Sequence, residues 1–301
     1  MTRACTVVEP VLTAEDRAVW AAWERAALLH ARTEAHRKLV ARARAAVLEA
    51  LALSDAARPA VSWSAGKDST AMAHLVCVEA GAAADVELVS EKDDLDYPGE
   101  REYVEQLAAA WGARLKILTP TISPREWVQA EAAKEALVCC DDIHSRAAGL
   151  SKACFYRLME EDNAGRGLVM LGLRAEESNI REAVANRALG LRAKARREGR
   201  AHPASGLTYW HEGAGQWRCL PVARWRGLDV YAYLLSRGVD PLHVYRCVAF
   251  MHADRPWMIR KSWWLPGGAS GRYGQVAWLR RYYPSLYTQL RRWMAEAALL
   301  T

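Results

Sequence analysis

Apolar residues recur at helical spacing from Ala14 to about Leu53, with Val19, Trp23 and Ala26 in the first half and Leu39, Ala43, Val47, Ala50 and Leu51 in the second. The pattern predicts two helices or one bent helix, with Asp16, Arg17, Glu24, Arg25, Glu34 and Arg37 on solvated faces. Residues 54–59 interrupt it. Short apolar runs then alternate with helical stretches: candidate strands at 60–63, 86–90, 115–118 and 168–172, candidate helices at 69–79, 100–111, 123–136 and 145–162. Such alternation argues for an α/β fold, a doubly wound and mostly parallel sheet with right-handed crossovers. Ligands of such sheets sit beyond the carboxyl ends of the strands, where the strand order switches. A last apolar stripe, Leu286, Leu290, Trp293, Ala297 and Leu300, predicts a C-terminal helix. The chain is therefore expected to divide into an N-terminal helical segment (1–58), an α/β domain (59–250) and a C-terminal aromatic and basic helical extension (251–301).

Composition narrows the class without choosing a function. At 301 residues the chain can bury a full core without staples. It has no apolar run of bilayer-spanning length, and its first residues lack the apolar core of a secretory signal, so a cytoplasmic protein with no membrane partner is expected. Seven cysteines, odd in number and scattered, predict reduced thiols rather than a disulfide framework. The net charge of +6, carried mostly by arginine, suits phosphate-rich ligands but does not select one. Of the 13 tryptophans several lie beside arginines near the C-terminus, where packing competes with base stacking.

The candidate chemistry starts at the end of the first strand. In Val61-Ser62-Trp63-Ser64-Ala65-Gly66-Lys67-Asp68-Ser69-Thr70 an apolar run gives way to small residues, a lysine and an aspartate just before a helical pattern. A strand, a tight turn and a helix N-terminus together form an anion site, because backbone N–H groups and the positive end of the helix dipole converge there. The stretch is not the G-x-x-x-x-G-K-[ST] phosphate loop: the upstream glycine is missing and an aspartate follows the lysine. It resembles instead the PP-loop, S-G-G-K-D-S, of the adenine nucleotide alpha-hydrolase superfamily, which includes ATP pyrophosphatases and phosphoadenosine phosphosulfate (PAPS) reductases. Ala65 stands at the first glycine of that motif.

Further segments carry the same resemblance. Gly172-Leu173-Arg174-Ala175-Glu176-Glu177-Ser178-Asn179-Ile180-Arg181 matches G-x-R-x-x-E-S-x-x-R of the PAPS reductase family, at the end of the fourth predicted strand. Glycine permits close backbone approach, and arginine offers a planar fork to phosphate or sulfate oxygens. Glu177 is a candidate to hold Arg174 or Arg181, or to help bind a metal, whereas Glu176 is accounted for as an ordinary helix-start residue. Residues 91–100 are similar to the family's D-T-G-x-x-x-P-E-T loop over the nucleotide, with Asp94, Pro98 and Glu100 as remnants. Pro221 to Tyr233, then Pro241 to Tyr245, resemble the family's P-[LI]-x-x-W-x-x-x-D-V-W-x-Y and P-x-x-x-x-Y segments, with Asp229 expected as a helix N-cap. Between them, residues 186–202 carry Arg187, Arg192, Lys194, Arg196, Arg197 and Arg200, and Gly190 and Gly199 predict a flexible loop there, either solvated or in contact with phosphate or nucleic acid.

The resemblance implies an adenine nucleotide ligand. It implies ATP with magnesium as cofactors, with Lys67, Asp68 and Arg174 in catalytic positions and Asp68 as a magnesium ligand or helix cap. Ser62, Ser64, Ala65, Gly66, Ser69, Thr70, Asp94, Gly172, Glu177, Ser178 and Arg181 would line the nucleotide. The sulfonucleotide reductases of the family attack with a cysteine in a C-terminal E-C-G-L-H segment, and this sequence has no cysteine after Cys247. Iron-sulfur members use a paired C-C and a later C-x-x-C. Cys139 and Cys140 fall in the expected region, but no C-x-x-C exists, so a cluster would need Cys154, Cys219 or Cys247, and buried unligated thiols are the favoured reading. The leading expectation is an ATP pyrophosphatase that adenylates a substrate, for sulfur transfer or nucleic-acid modification, with a nucleic acid or protein sulfur carrier as partner. A thiol-dependent PAPS or APS reductase and a catalytically silent nucleotide-binding subunit are the alternatives.

Overall fold

The structure, a computed structural model, describes residues 9–53, 59–93, 96–120, 157–199, 202–252, 259 and 274–293. Two N-terminal helices, α1 (Ala14–Ala31) and α2 (Glu34–Ala52), are each started by a threonine cap. Thr13 Oγ1 accepts from the Asp16 N–H at 3.1 Å while Asp16 Oδ2 accepts from the Thr13 N–H at 2.9 Å, a reciprocal capping box. Asp16 is not on a solvated face. It is fully buried, because its other oxygen accepts from the Tyr282 hydroxyl at 2.7 Å and the Ala249 N–H at 2.8 Å. These bonds, which the local pattern around Asp16 does not reveal, hold its carboxyl below the usual carboxylate range against the opposing effect of burial.

The sheet contains β1 (Ala60–Ser62), β2 (Glu87–Glu91), β3 (Arg114–Leu118), β4 (Leu168–Leu171), β5 (Thr208–His211) and β6 (Gln216–Cys219) in the order β3-β2-β1-β4-β6-β5. All neighbours are parallel except the β5–β6 hairpin, which the sequence pattern did not reveal. The chain runs outward from β1 through β2 to β3, then returns to the other side of β1 with β4. The switch point thus falls between β1 and β4, whose ends are level because Ser62 pairs with Leu171.

Helix α3 (Lys67–His74) leaves β1 and continues through a π-helical turn, Leu75–Glu79; α4 (Glu100–Ala110) links β2 to β3. After β4 comes α5 (Asn179–Arg197), and α6 (Gly227–Ser236) follows β6. Residues 186–197 are therefore helical, not a flexible loop. Ser178 caps the helix by accepting from the Arg181 N–H at 3.3 Å, its buried Ala185, Ala188 and Ala195 form one face, and Gly190 sits inside it without breaking it. Gly199, in the left-handed region at φ +65°, lies just beyond the end.

One apolar core fills the space between the sheet and α2, α3 and α6. A second joins α1 and α6 to the segment that leads into short helix α7 (Ala249–His252) and to α8 (Gly274–Tyr282) and α9 (Pro284–Trp293), with Trp20, Tyr231, Trp278, Tyr282, Tyr283 and Leu290 buried in it. The aromatics of the C-terminal region that can be described are thus packing residues. Trp263, Trp264, the expected helices at 123–136 and over most of 145–162, and Cys5, Cys139, Cys140 and Cys154 lie outside the described residues.

Candidate functional site

The turn between β1 and α3 is built by short side chains bonding to backbone. Ser69 Oγ donates to the Gly66 carbonyl at 3.0 Å, accepts from the Ser64 N–H at 3.2 Å and lies 3.0 Å from Ser64 Oγ; Trp63 Nε1 donates to Thr70 Oγ1 at 3.0 Å. Ala65 lies in the left-handed region at φ +58°, the one described non-glycine residue with positive φ. That conformation explains why glycine belongs at this point of the motif. Gly66 is the N-cap of α3 and contributes no side-chain cap, and Asp68 does not cap the helix either. Of the first-turn N–H groups of α3, that of Lys67 donates to the Tyr245 hydroxyl at 3.1 Å.

Gly172 closes the other side. A Cβ there would lie 2.6 Å from Ser69 Cα and 2.9 Å from Ser69 N, so the end of β4 passes against the first turn of α3 at a distance only glycine allows.

The charged residues form a network. Arg174, 2% exposed, donates from Nε to Asp68 Oδ1 at 2.6 Å and from Nη1 to Glu176 Oε2 at 2.5 Å, while Nη2 stands 3.8 Å from Glu177 Oε1. Glu177 in turn pairs with Arg181. Lys67, also 2% exposed, has Nζ 3.4 Å from Asp68 Oδ2 and 3.2 Å from the Ile259 carbonyl, and lies over the Tyr245 ring. Asp68 thus sits between the two cations. A buried carboxylate and guanidinium so placed fix each other's orientation.

The fold brings Ser64, Ala65, Gly66, Lys67, Asp68, Ser69, Thr70, Gly172, Arg174 and Glu177 to one place, and Arg181 joins it through Glu177. Ser178 serves as the cap of α5. Asp94 lies outside the described residues. Ser62 opens instead onto a cavity of about 620 Å³ with Asn163, Leu171, His211, Gln216 and Arg218, a volume in the range of small-molecule pockets.

Sequence reasoning did not foresee the contacts of Glu176, Tyr245, Lys92 and Glu100. Glu176 is not an incidental helix-start residue: besides Arg174 it accepts the N–H of Gly227, the first residue of α6, at 2.8 Å. Tyr245 reaches the loop from a distant segment. Lys92 and Glu100 form a buried pair at 2.8 Å, with Lys92 also donating to the Glu91 carbonyl at 2.7 Å. No local signal marks these pairings. Asp229, expected at the N-cap of α6, sits three residues further in and reaches back to accept the N–H of the true N-cap, Arg226, at 2.7 Å.

The residues that can be described offer few metal or cluster ligands near the loop. Cys77, Cys219 and Cys247 are buried and free, and burial pushes the first two up to about 12 and the third higher. No three of the described cysteines group together. Among the described helices none is long and apolar enough to cross a membrane.

Comparison with known proteins gives consistent but distant likenesses. The chain resembles solved structures only weakly: a PAPS reductase from Candida auris in a phosphate complex is 17% identical (TM-score 0.37, covering 61% of this chain and 74% of that one). The U34-tRNA thiolase NcsA from Methanococcus maripaludis with its [4Fe-4S] cluster is 13% identical (TM-score 0.40, 68% and 66% covered), and an FMN adenylyltransferase from Candida glabrata 10% (TM-score 0.38, 77% and 67% covered). No curated protein matches the sequence. The family model described as the phosphoadenosine phosphosulfate reductase domain matches residues 58–248, which span the switch point, the loop after β1 and the motif after β4, and the chain accordingly belongs to that family.

Proposed function

We propose that the protein is an ATP pyrophosphatase of the PAPS reductase family, which adenylates an acceptor. The observation that carries this reading is a buried Lys67–Asp68–Arg174 network beside the N-terminus of α3 at the switch point, where Gly66 supplies no side-chain cap and Tyr245 takes the Lys67 N–H. The pyrophosphate of ATP lies on the loop from Ser64 to Thr70, held by first-turn N–H groups and by Ser64 and Ser69. An acceptor oxygen attacks the α-phosphorus; the new P–O bond forms as the bond to the bridging α–β oxygen breaks, and the electron pair leaves on pyrophosphate. Lys67 neutralises that leaving group, exchanging the Ile259 carbonyl for phosphate oxygen. Arg174 and Arg181 take outlying phosphate oxygens by exchanging Glu176 and Glu177 for them. Magnesium bound with ATP would add charge neutralisation at the phosphates, with Asp68 Oδ2 the carboxylate oxygen to hold it while Oδ1 stays with Arg174. Catalysis rests on position and charge, since no protein nucleophile is required.

A reductase reading finds less support among the described residues. A thiol attacks as thiolate, and burial keeps Cys77, Cys219 and Cys247 protonated. The test is pyrophosphate release from magnesium-ATP in the presence of candidate nucleic-acid and sulfur-carrier acceptors. Lys67→Ala should lower it by about 10²–10³-fold. Equal rates for wild type and variant would defeat the proposal, sulfite release from PAPS would favour the reductase, and tight ATP binding without turnover would favour a silent subunit.

A further inference from the structure

The first turn of α6 faces two histidines of the α1–α2 turn. His30 Nε2 lies 2.6 Å from Asp229 Oδ1, and His36 Nδ1 lies 3.6 Å from the same oxygen. Ligand atoms of the three residues all fall within 4.8 Å of one another, and among the described residues no other three His, Cys, Asp or Glu side chains do so. His36 is 2% exposed, yet neither of its ring nitrogens completes a hydrogen bond. A buried polar group left this way costs roughly 1–3 kcal/mol. The carboxylate is already oriented: Asp229 Oδ2 accepts the Arg226 N–H, which turns Oδ1 toward the histidines.

We propose that His30, His36 and Asp229 bind a zinc-class divalent ion through two imidazole nitrogens and one carboxylate oxygen. This donor set suits zinc and its neighbours, whereas magnesium and calcium prefer oxygen ligands alone. Tetrahedral zinc with bonds of about 2.0–2.2 Å sets its ligand atoms about 3.3 Å apart. The His36–Asp229 separation is close to that, and the His30–Asp229 hydrogen bond has to open by less than about 1 Å. The His30 side chain is 27% exposed, so solvent reaches the cluster and a water completes the ligand set. The ion ties the α1–α2 turn to α6. Because the first N–H of α6 is the one that Glu176 accepts, and Glu176 also holds Arg174, the ion stiffens the helix that anchors one side of the nucleotide site.

The experiment uses the full chain, purified without a histidine tag or chelator. Metal content is measured by mass spectrometry; the protein is then stripped and titrated with zinc and with cobalt(II). One zinc per chain is expected, with the visible absorption of four-coordinate cobalt in a nitrogen and oxygen environment. His30→Gln, at the most exposed ligand, and Asp229→Asn should each weaken zinc binding by at least about a hundredfold. Cys139→Ser with Cys140→Ser should leave it intact, and so should Lys67→Ala, which separates this site from the nucleotide reaction. The proposal is overturned if the stripped wild type takes up no zinc at micromolar concentration, or if His30→Gln retains full affinity. Intense near-ultraviolet thiolate-to-cobalt absorption would assign the metal to cysteines and overturn it equally, and that readout on the wild type does not depend on any variant folding.

Discussion

Arg174 and the arginines of α5 are neighbours in sequence, but Arg174 is buried with its fork on Asp68 and Glu176, whereas Arg196 and Arg197 stand exposed in the last turn of α5. Both stretches read as basic motifs. The difference is that Arg174 follows directly from the end of a central strand, where the chain must turn across the switch point, while the last turn of the helix holding the others shows its arginines to solvent. Positive charge concentrated in sequence therefore becomes a site only where the fold desolvates it and supplies fixed partners.

Substitution of these arginines gives the sharpest contrast. Arg174→Met leaves the buried Asp68 with Lys67 as its remaining cation, and should lower stability by about 3 kcal/mol. Arg196→Met and Arg197→Met should leave the unfolding midpoint unchanged. Urea unfolding of the three variants checks this, and equal losses would erase the distinction between buried network and solvated helix.

A comparable loss should appear with acid. Burial lowers His74 in α3 from 6.5 to about 4, with the nearby Arg237 charge acting the same way, and its Nδ1 lies 2.9 Å from the Tyr233 hydroxyl. Between these values the unfolded chain binds a proton that the folded chain does not. The stability from neutral His74 is thus complete above pH 6.5 and falls as pH drops toward 4, by roughly 3 kcal/mol at most. Unfolding free energies of wild type and His74→Gln, measured from pH 7 to 4, should converge at the acid end; parallel curves would mean that His74 is not the group responsible.

Two glycines extend the contrast at smaller scale. Gly172→Ala drives a methyl into the backbone of Ser69 and should cost about 1–3 kcal/mol together with most of the affinity for ATP. Gly190→Ala, inside α5 with open space around it, should stabilise by about 0.5–1 kcal/mol and leave ATP binding alone. Thermal unfolding with calorimetric ATP titration reads both. The least change is expected from Ala65→Gly: relief of about 1–2 kcal/mol of left-handed strain is offset by glycine's flexibility and one lost buried methyl, for a net effect within about 1 kcal/mol by the same unfolding assay.

The strands at the centre of the fold were legible because they are continuous apolar runs between turn residues, and the loop after β1 because its small residues, lysine and aspartate are contiguous. The β5–β6 hairpin escaped notice: Thr208 to His211 and Gln216 to Cys219 are short, and each mixes polar with apolar residues without a clear alternation. The helix through Gly190 was obscured by the glycine and by a surface of charges that locally resembles a solvated loop.

The sequence by itself determined the local matters: the positions of strands β1 to β4, where the backbone must turn, that Gly172 and the residues from Ser64 to Thr70 belong to the loop motifs, and which family the motifs resemble. Only the tertiary structure decided which charges meet. Asp68 with Arg174, Glu176 with the start of α6, Tyr245 with the Lys67 N–H, Asp16 with Tyr282, and His30 with His36 and Asp229 are pairings between segments that are mostly far apart along the chain. Local periodicity reports whether a residue faces inward or outward, but a buried charge is stable only beside its partner, and the partner is chosen by packing over long separations.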